Sequence, residues 1–324
     1  MTPSSALGEL EADLAFLREL LPPTPEIAWP LLAARCGADV VVKHENHSPI
    51  GAFKLRGGLV YMHELRAREP KLAGVITATR GNHGQSVAFA ARRAGFAATI
   101  AVPHGNSLEK NAAMRALGAR LVEHGRDFQD ALLHAQALAK SQDLHFVPSF
   151  HPWLVRGVST CALELLRARP DLDVLYVPIG LGSGVCGALR ARDALGLRTR
   201  IVGVVAENAP TYALSFAAGR VVPTDSADTL ADGLAVRVPN ADALAAICAG
   251  AERIVRVSEA EIRAAMRALF SDTHNVAEGA GAAALAACLQ ERAAVAGKRV
   301  GLVLTGGNVD RAAYAAVLAE NEPS

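Results

Sequence analysis

Ser48-Pro49-Ile50-Gly51-Ala52-Phe53-Lys54-Leu55-Arg56-Gly57-Gly58 places a lysine between a Pro/Gly turn and the start of an apolar stretch with helical spacing. A side chain at such a junction is aimed by the backbone rather than left to sweep through solvent. A lysine amine is a poor nucleophile while protonated, and burial or nearby positive charge makes it reactive. Phe53 and Leu55 supply apolar surroundings and Arg56 a second cation, although adjacent positions need not face the same way. Taken alone, a lysine is more often solvated, with its stem along the surface. The neighbouring sequence decides between the two.

Around this segment, short apolar runs alternate with amphipathic stretches, the form of an α/β protein with open parallel sheets. Strands are expected at Asp39–Lys43, Gly74–Ala78, Ala98–Val102, Arg120–Glu123, Val174–Pro178, Ile201–Val205 and Val300–Leu304. They are rich in Val, Ile and Leu without clean alternation, as when helices cover both faces. Helices are expected at Gln85–Ala94, Glu109–Leu117, Phe128–Ala139 and Trp153–Arg167. Ser258-Glu259-Ala260-Glu261 forms a capping box for a helix reaching about Phe270, and Pro210 suits the first turn of another. The segment from Val221 to Ala245, with Pro223, Pro239 and scattered Asp, is expected to be irregular.

The 324 residues correspond to about two domains. Hydrophobic residues at 51% and charged residues at 20% exclude a disordered chain. Lys+Arg 33 against Asp+Glu 32 leaves a net charge of +1, and aromatic content is 5%, so no nucleic-acid partner is expected. No membrane partner is expected either, since no apolar run is long enough to span a bilayer. Cys36, Cys161, Cys186, Cys248 and Cys288 are odd in number and widely spaced, which fits a reducing cytoplasm. Met1-Thr2-Pro3-Ser4-Ser5 lacks the features of a signal peptide, and the short sequence after Asn308 gives no expectation of a regulatory module.

Three further motifs carry chemistry. Thr79-Arg80-Gly81-Asn82-His83-Gly84-Gln85 is a glycine-punctuated turn from a strand into a helix, exposing backbone N–H groups that suit a carboxylate. Asn82 and His83 can both donate hydrogen bonds, or the turn is purely structural with His83 on the surface. Ile179-Gly180-Leu181-Gly182-Ser183-Gly184-Val185-Cys186-Gly187 follows a strand and opens a helix, an anion site suited to phosphate. Which phosphate stays open: Gly182 to Gly187 also spells GxGxxG, and Glu207 ends the next strand, as an NAD-dependent oxidoreductase requires. Leu304-Thr305-Gly306-Gly307-Asn308 ends a strand with a hydroxyl able to bond a neutral ring nitrogen, or is a plain turn. Glu278 opens an alanine-rich helix and is expected to act as a first-turn carboxylate rather than in the site. His44-Glu45-Asn46-His47 lacks zinc spacing, and no metal is assigned.

These four motifs in this order resemble the threonine/serine dehydratase group of fold type II pyridoxal-phosphate enzymes, over roughly residues 20–312. Pro152 to Thr160, Ala162-Leu163-Glu164, Thr229-Leu230-Ala231-Asp232-Gly233 and Val202-Gly203-Val204 with Ala206-Glu207-Asn208 extend the likeness toward its catabolic threonine dehydratase branch. The resemblance implies a tryptophan synthase β-like α/β fold of two open parallel-sheet αβα domains with the active site between them. Residues 1–50 and 155–324 would form the large domain and 51–154 the small one.

By the same resemblance the cofactor is pyridoxal 5'-phosphate. Lys54 would hold it as a Schiff base and act as catalytic base, with Phe53 beside its ring and Asn82 at the ring hydroxyl. Gly180, Leu181, Gly182, Ser183 and Gly184 would cradle the phosphate, and Thr305 would meet the ring nitrogen. Thr79, Arg80, Gly81, Asn82 and His83 would bind the substrate, a small 3-hydroxy amino acid such as threonine or serine, converted to a 2-oxo acid and ammonia. A homo-oligomer is the family expectation. A non-catalytic carrier on the same scaffold is the third alternative, disfavoured by the intact Lys54, Asn82 and Thr305.

The departures are informative. Arg80 stands where the family has the second serine, the second acid/base of its racemases, and a guanidinium cannot exchange that proton. Racemase activity is therefore not expected. Arg80 would instead grip the distal carboxylate of 3-hydroxyaspartate, lie on the ring of phenylserine, or point to solvent. Ile50 and Ala52 replace the usual Thr and Ser, and Leu181 and Ser183 interrupt the usual glycines. Val205 stands at the glutamate of the relatives' cation site.

Overall fold

The structure, a computed structural model, describes residues 3–320. Met1 and Thr2, part of the stretch without signal-peptide features, lie outside the described residues. The strands are β1 (Glu26–Ala28), β2 (Asp39–His44), β3 (Gly74–Ala78), β4 (Ala97–Val102), β5 (Arg120–Glu123), β6 (His145–Phe146), β7 (Val174–Pro178), β8 (Arg200–Ala206), β9 (Arg253–Val257) and β10 (Arg299–Leu304). Six form a sheet in the order β1-β2-β10-β7-β8-β9, and four form a second in the order β5-β4-β3-β6. All pairings are parallel except β1 on β2. The strands of the smaller sheet all come from residues 74–146.

The near-continuous apolar runs have a direct cause. Successive residues of β7 enter different cores: Val174 and Tyr176 face one, Leu175 and Val177 the other. The smaller sheet repeats this, with Val75 in one core and Ile76 and Ala78 in the next. Each face is closed by helices, so neither can be polar. The seven expected strands are present. The three without a sequence signal are short or marginal: β1 has three residues, β6 has two, and edge strand β9 carries charges at Arg253 and Arg256.

The expected helices are also present, with small shifts. Asn82–Ala94 starts earlier than Gln85, and Pro210 is the residue before helix Thr211–Ala218 rather than within its first turn. Ser258 and Glu261 form the reciprocal capping box. The irregular excursion ends at Asn240, whose side chain caps helix Ala241–Gly250; within it lies a single 3-10 turn at Asp232–Leu234.

Helix Lys54–Arg68 is wedged between helices Asn82–Ala94 and Pro152–Ala168 through glycines. A Cβ on Gly58 would lie 2.2 Å from Ser86 Oγ, and one on Gly157 would lie 2.3 Å from the Arg56 carbonyl oxygen. The sheet order then gathers the motifs. β10 lies between β2 and β7, so the loops leaving their C-terminal ends are neighbours. Ligands of open parallel sheets bind at such carboxyl ends.

Candidate active site

Lys54 is the first residue of its helix, with Phe53 preceding it. The segment is pinned to the loop after β10: Phe53 N donates to Thr305 O at 2.9 Å, Gly307 N to Gly51 O at 2.9 Å, and Ala52 bridges Gly306. Thr305, only 4% exposed, is thereby set beside the lysine segment. Lys54 Nζ donates to Ser183 Oγ at 3.2 Å and lies 5.0 Å from the Phe53 ring centroid. Burial lowers the amine to about 8. Arg56, expected as a source of charge for this shift, turns elsewhere: its guanidinium bonds Glu45 and Glu164. Desolvation alone makes Lys54 a usable base.

The glycine loop connects β7 to helix Ser183–Ala194. Gly182 precedes that helix in the left-handed region at φ 98°, and a Cβ there would meet Ala243 Cβ at 2.7 Å. Gly180 lies against Gly233 O, and the Phe53 ring lies over Gly184. Tyr212 Oη donates to Leu181 O at 2.8 Å and accepts from Asn240 N at 3.0 Å, holding the loop's shape. Ser183, where the family has glycine, presents the hydroxyl that meets Lys54.

The turn after β3 is braced internally. Thr79 Oγ1 accepts from Gly81 N at 3.0 Å and Gly84 N at 3.3 Å, so these two donors are not free for a ligand. The first-turn N–H groups of Asn82 and His83 have no intrahelical acceptor and remain. His83 is not a surface residue: its Nε2 lies 3.1 Å from Thr77 Oγ1, and burial, aided by the Lys54 charge, lowers it to about 3. It is neutral, with its ring turned to β3.

Asn82 reaches Glu278, donating from Nδ2 to Oε1 at 2.6 Å, and its Oδ1 accepts from Asn308 Nδ2 at 2.7 Å. This corrects the expectation for Glu278, which makes no side-chain cap on its own helix and is tied to the Asn82 turn. Arg80 is 52% exposed at the mouth of a cleft of about 270 Å³. Its guanidinium lies 3.6 Å from Asp232, which also takes Lys110 Nζ at 2.8 Å. Lys110, Asp232 and Asn308 were absent from the expected site. Asp232 and Asn308 fell inside quoted motifs; Lys110 gives no local signal, as its role depends on a contact 122 residues away. The His44 cluster is hydrogen-bonded otherwise: His44 Nε2 accepts from Trp29, and His47 Nε2 lies 2.7 Å from Asn275 Oδ1.

The arrangement fits pyridoxal phosphate. An amine of lowered pKa stands 3.2 Å from a hydroxyl in the first turn of a helix whose N-terminus favours phosphate. Thr305 accepts from the lysine segment through its carbonyl, and Asn82 is linked to that segment through Asn308, which also donates to Ile50 O.

Residues 17–306 match the family described as pyridoxal-phosphate dependent enzyme. The L-threonine ammonia-lyase of Thermotoga maritima is 35% identical over 281 residues, 86% of this chain and 70% of that relative. The L-threo-3-hydroxyaspartate ammonia-lyase of Saccharomyces cerevisiae is 31% identical over 307 residues, 94% of each. Among solved structures, threonine deaminase isoform 2 from Solanum lycopersicum superposes with a TM-score of 0.90 at 29% identity, covering 98% of this chain and 94% of that one. The dinucleotide alternative had its local requirements, including Glu207 just beyond β8, but a match over nearly the whole chain overturns it. With Lys54, the glycine loop at Gly180–Gly184 and Thr305 gathered at the carboxyl ends of one sheet, and with the family match covering residues 17–306, the chain belongs to the pyridoxal-phosphate-dependent enzymes.

Proposed function

We propose that this enzyme is an ammonia-lyase that removes the Cα hydrogen and the 3-hydroxyl of a 3-hydroxy amino acid, with threonine or serine as the simplest substrates. Loss of these groups gives an enamino acid, which hydrolyses to a 2-oxo acid and ammonia. The observation that carries the reading is Lys54 Nζ, lowered to about 8 and 3.2 Å from Ser183 Oγ. Pyridoxal phosphate, when bound, supplies an aldehyde for amine condensation and a ring that accommodates the electron pair left at Cα.

The chain's residues then have distinct tasks. The loop Gly180–Gly184 and the following helix N-terminus hold the phosphate. Asn82 would donate to the cofactor's ring oxygen, Phe53 would pack beside its ring, and Thr305 would supply a hydroxyl, a group too weakly acidic to protonate the ring nitrogen. The N–H groups of Asn82 and His83 hold the substrate carboxylate. Lys54 would take the Cα proton at Nζ. Residues 51–154 act as the smaller of two units enclosing the substrate, in keeping with a sheet drawn from residues 74–146. A cytoplasmic homo-oligomer completes the reading; among the described residues no helix is long and apolar enough to cross a membrane.

A second substrate class, 3-hydroxyaspartate, is favoured by one observation: Arg80 and Lys110 converge on the Asp232 carboxylate at the cleft. A substrate carboxylate could take the place of that internal one. Phenylserine is the alternative that would use Arg80 through stacking.

The test is a panel of threonine, serine, 3-hydroxyaspartate and phenylserine offered to the cofactor-loaded protein, with ammonia and 2-oxo acid measured. Release from at least one, abolished by Lys54→Ala, is expected. Silence across the panel from a protein that has taken up the cofactor sinks the reading.

A further inference from the structure

Glu278 is a buried carboxylate at the edge of the site that the proposed reaction leaves unused. It is 8% exposed and precedes helix Gly279–Gln290. The loop after β10 crosses directly over it. Its backbone N donates to Gly306 O at 3.1 Å, and a Cβ on residue 306 would lie 2.5 Å from Glu278 Oε1. A side chain at residue 306 would push the Glu278 carboxylate from its place.

The hydrogen bonds around it form a directed chain. The carbonyl of Ile50 can only accept, so the Asn308 amine must face it, at 2.8 Å. The same amine supplies its second hydrogen to Asn82 Oδ1 at 2.7 Å. That contact turns the Asn82 amine toward Glu278, where Nδ2 meets Oε1 at 2.6 Å. One Nδ2 hydrogen is then committed to Glu278, and the other has no partner among the described residues. A flipped Asn82 would set amine against amine at Asn308.

We propose that Glu278 is the positioning residue for Asn82: it holds the amide in the one orientation that leaves a hydrogen for the cofactor's ring oxygen, and its charge is felt there through that amide. This rests on the reading that Lys54 and Asn82 hold pyridoxal phosphate. The carboxylate is suited to change state near neutrality. Burial pushes it up to about 7 and Asp232 adds to this, while Lys110 and the Asn82 bond oppose it. Of the other charges lining this cleft, Arg80 is paired with Asp232 and Asp310 accepts from Ser107 Oγ.

The test uses the apoprotein reconstituted with pyridoxal phosphate, reading the cofactor dissociation constant and the pH dependence of the bound cofactor's visible absorbance. Glu278→Gln, Glu278→Leu, Asn82→Ala and the double variant Glu278→Leu/Asn82→Ala are compared with the wild type. Glu278→Leu is expected to weaken binding roughly tenfold, the effect of losing a hydrogen bond to a charged group. That loss should vanish when Asn82 is already alanine. Glu278→Gln, nearly isosteric and still an acceptor, should lose the absorbance inflection near pH 7. The proposal is overturned if Glu278→Leu costs as much without Asn82 as with it, if it costs nothing, or if Glu278→Gln keeps the inflection. Absence of cofactor uptake by the wild type would instead defeat the underlying reading, so the two failures are separable.

Discussion

Arg56 Nη2 and Glu164 Oε2 meet at 2.9 Å between helices Lys54–Arg68 and Pro152–Ala168, two residues along the chain from the site lysine. They belong to an ion cluster whose centre, Lys43, Glu45, Arg56 and Glu164, is buried. Arg56 Nε also reaches Glu45 Oε2 at 2.8 Å, and Lys43 Nζ reaches Glu164 and Glu26, each at 2.6 Å. Thr24 Oγ1 donates to Glu45 at 2.7 Å, and Arg18 adds a cation on Glu164 at 2.8 Å. Burial alone would raise Glu45, but Arg56 and Lys43 more than offset it and hold the carboxyl below its usual range.

The first prediction follows from that cluster. Glu45→Ala leaves Arg56 with Glu164 as its one carboxylate partner among the described residues and is expected to destabilise the apoprotein by about 3 kcal/mol in urea unfolding at pH 7. Because the folded-state pKa of Glu45 is depressed, its stabilisation is present at neutral pH and is lost as pH falls through the folded value. The gap between wild type and variant should therefore close only in strong acid. A variant as stable as wild type at pH 7 would show the cluster to be energetically idle.

Lys54 gives a kinetic prediction. Only the neutral amine condenses with an aldehyde, and burial sets its pKa at about 8. The rate of cofactor uptake by apoprotein, followed by visible absorbance, should rise with pH and level off above about 8. A rise continuing toward the ordinary lysine pKa near ~10.4 would mean the amine is solvated.

Gly182 tests the phosphate loop. Alanine there must adopt φ near 98° and lie 2.7 Å from Ala243 Cβ. The left-handed strain costs about 1–2 kcal/mol, before the clash is relieved by moving the loop. Cofactor affinity should fall by about tenfold or more. Gly196→Ala is the control: it shares a positive φ of 65° but has open space around it. It should lower stability slightly and leave cofactor affinity unchanged.

Arg80 tests substrate class. Arg80→Ser removes the partly exposed cation that meets Asp232 at 3.6 Å. If 3-hydroxyaspartate is the substrate, kcat/KM for it should drop about tenfold or more while that for threonine moves little, matching loss of one charge-assisted bond. An unchanged preference order among threonine, 3-hydroxyaspartate and phenylserine would place Arg80 outside recognition.

Long-range contacts explain what could not be seen in the sequence. Six of the seven expected strands were legible because helices cover both their faces and keep them apolar; β5 and β9 are edge strands that carry charge without loss, and of these β9 was missed. His83 looked like a donor or a surface residue, and its burial against Thr77 emerges only when β3 and its helix pack. Glu278 had the spacing of a first-turn carboxylate, and the helix dipole explained it locally. Its partner Asn82 is 196 residues away, a pairing no local pattern encodes.

By itself, the chain determined its alternating strands and helices, the glycine turns at their junctions and the lysine set at one of them. These are local matters of periodicity, backbone freedom and capping. Tertiary structure alone decided that β10 inserts between β2 and β7, bringing Thr305 beside Phe53 and Ser183 to Lys54. It also decided that Lys54 is lowered by desolvation while Arg56 is committed to Glu45 and Glu164. Burial and long-range pairing are properties of the packed chain, so the lysine's reactivity, unlike its position, exists only once the fold has closed around it.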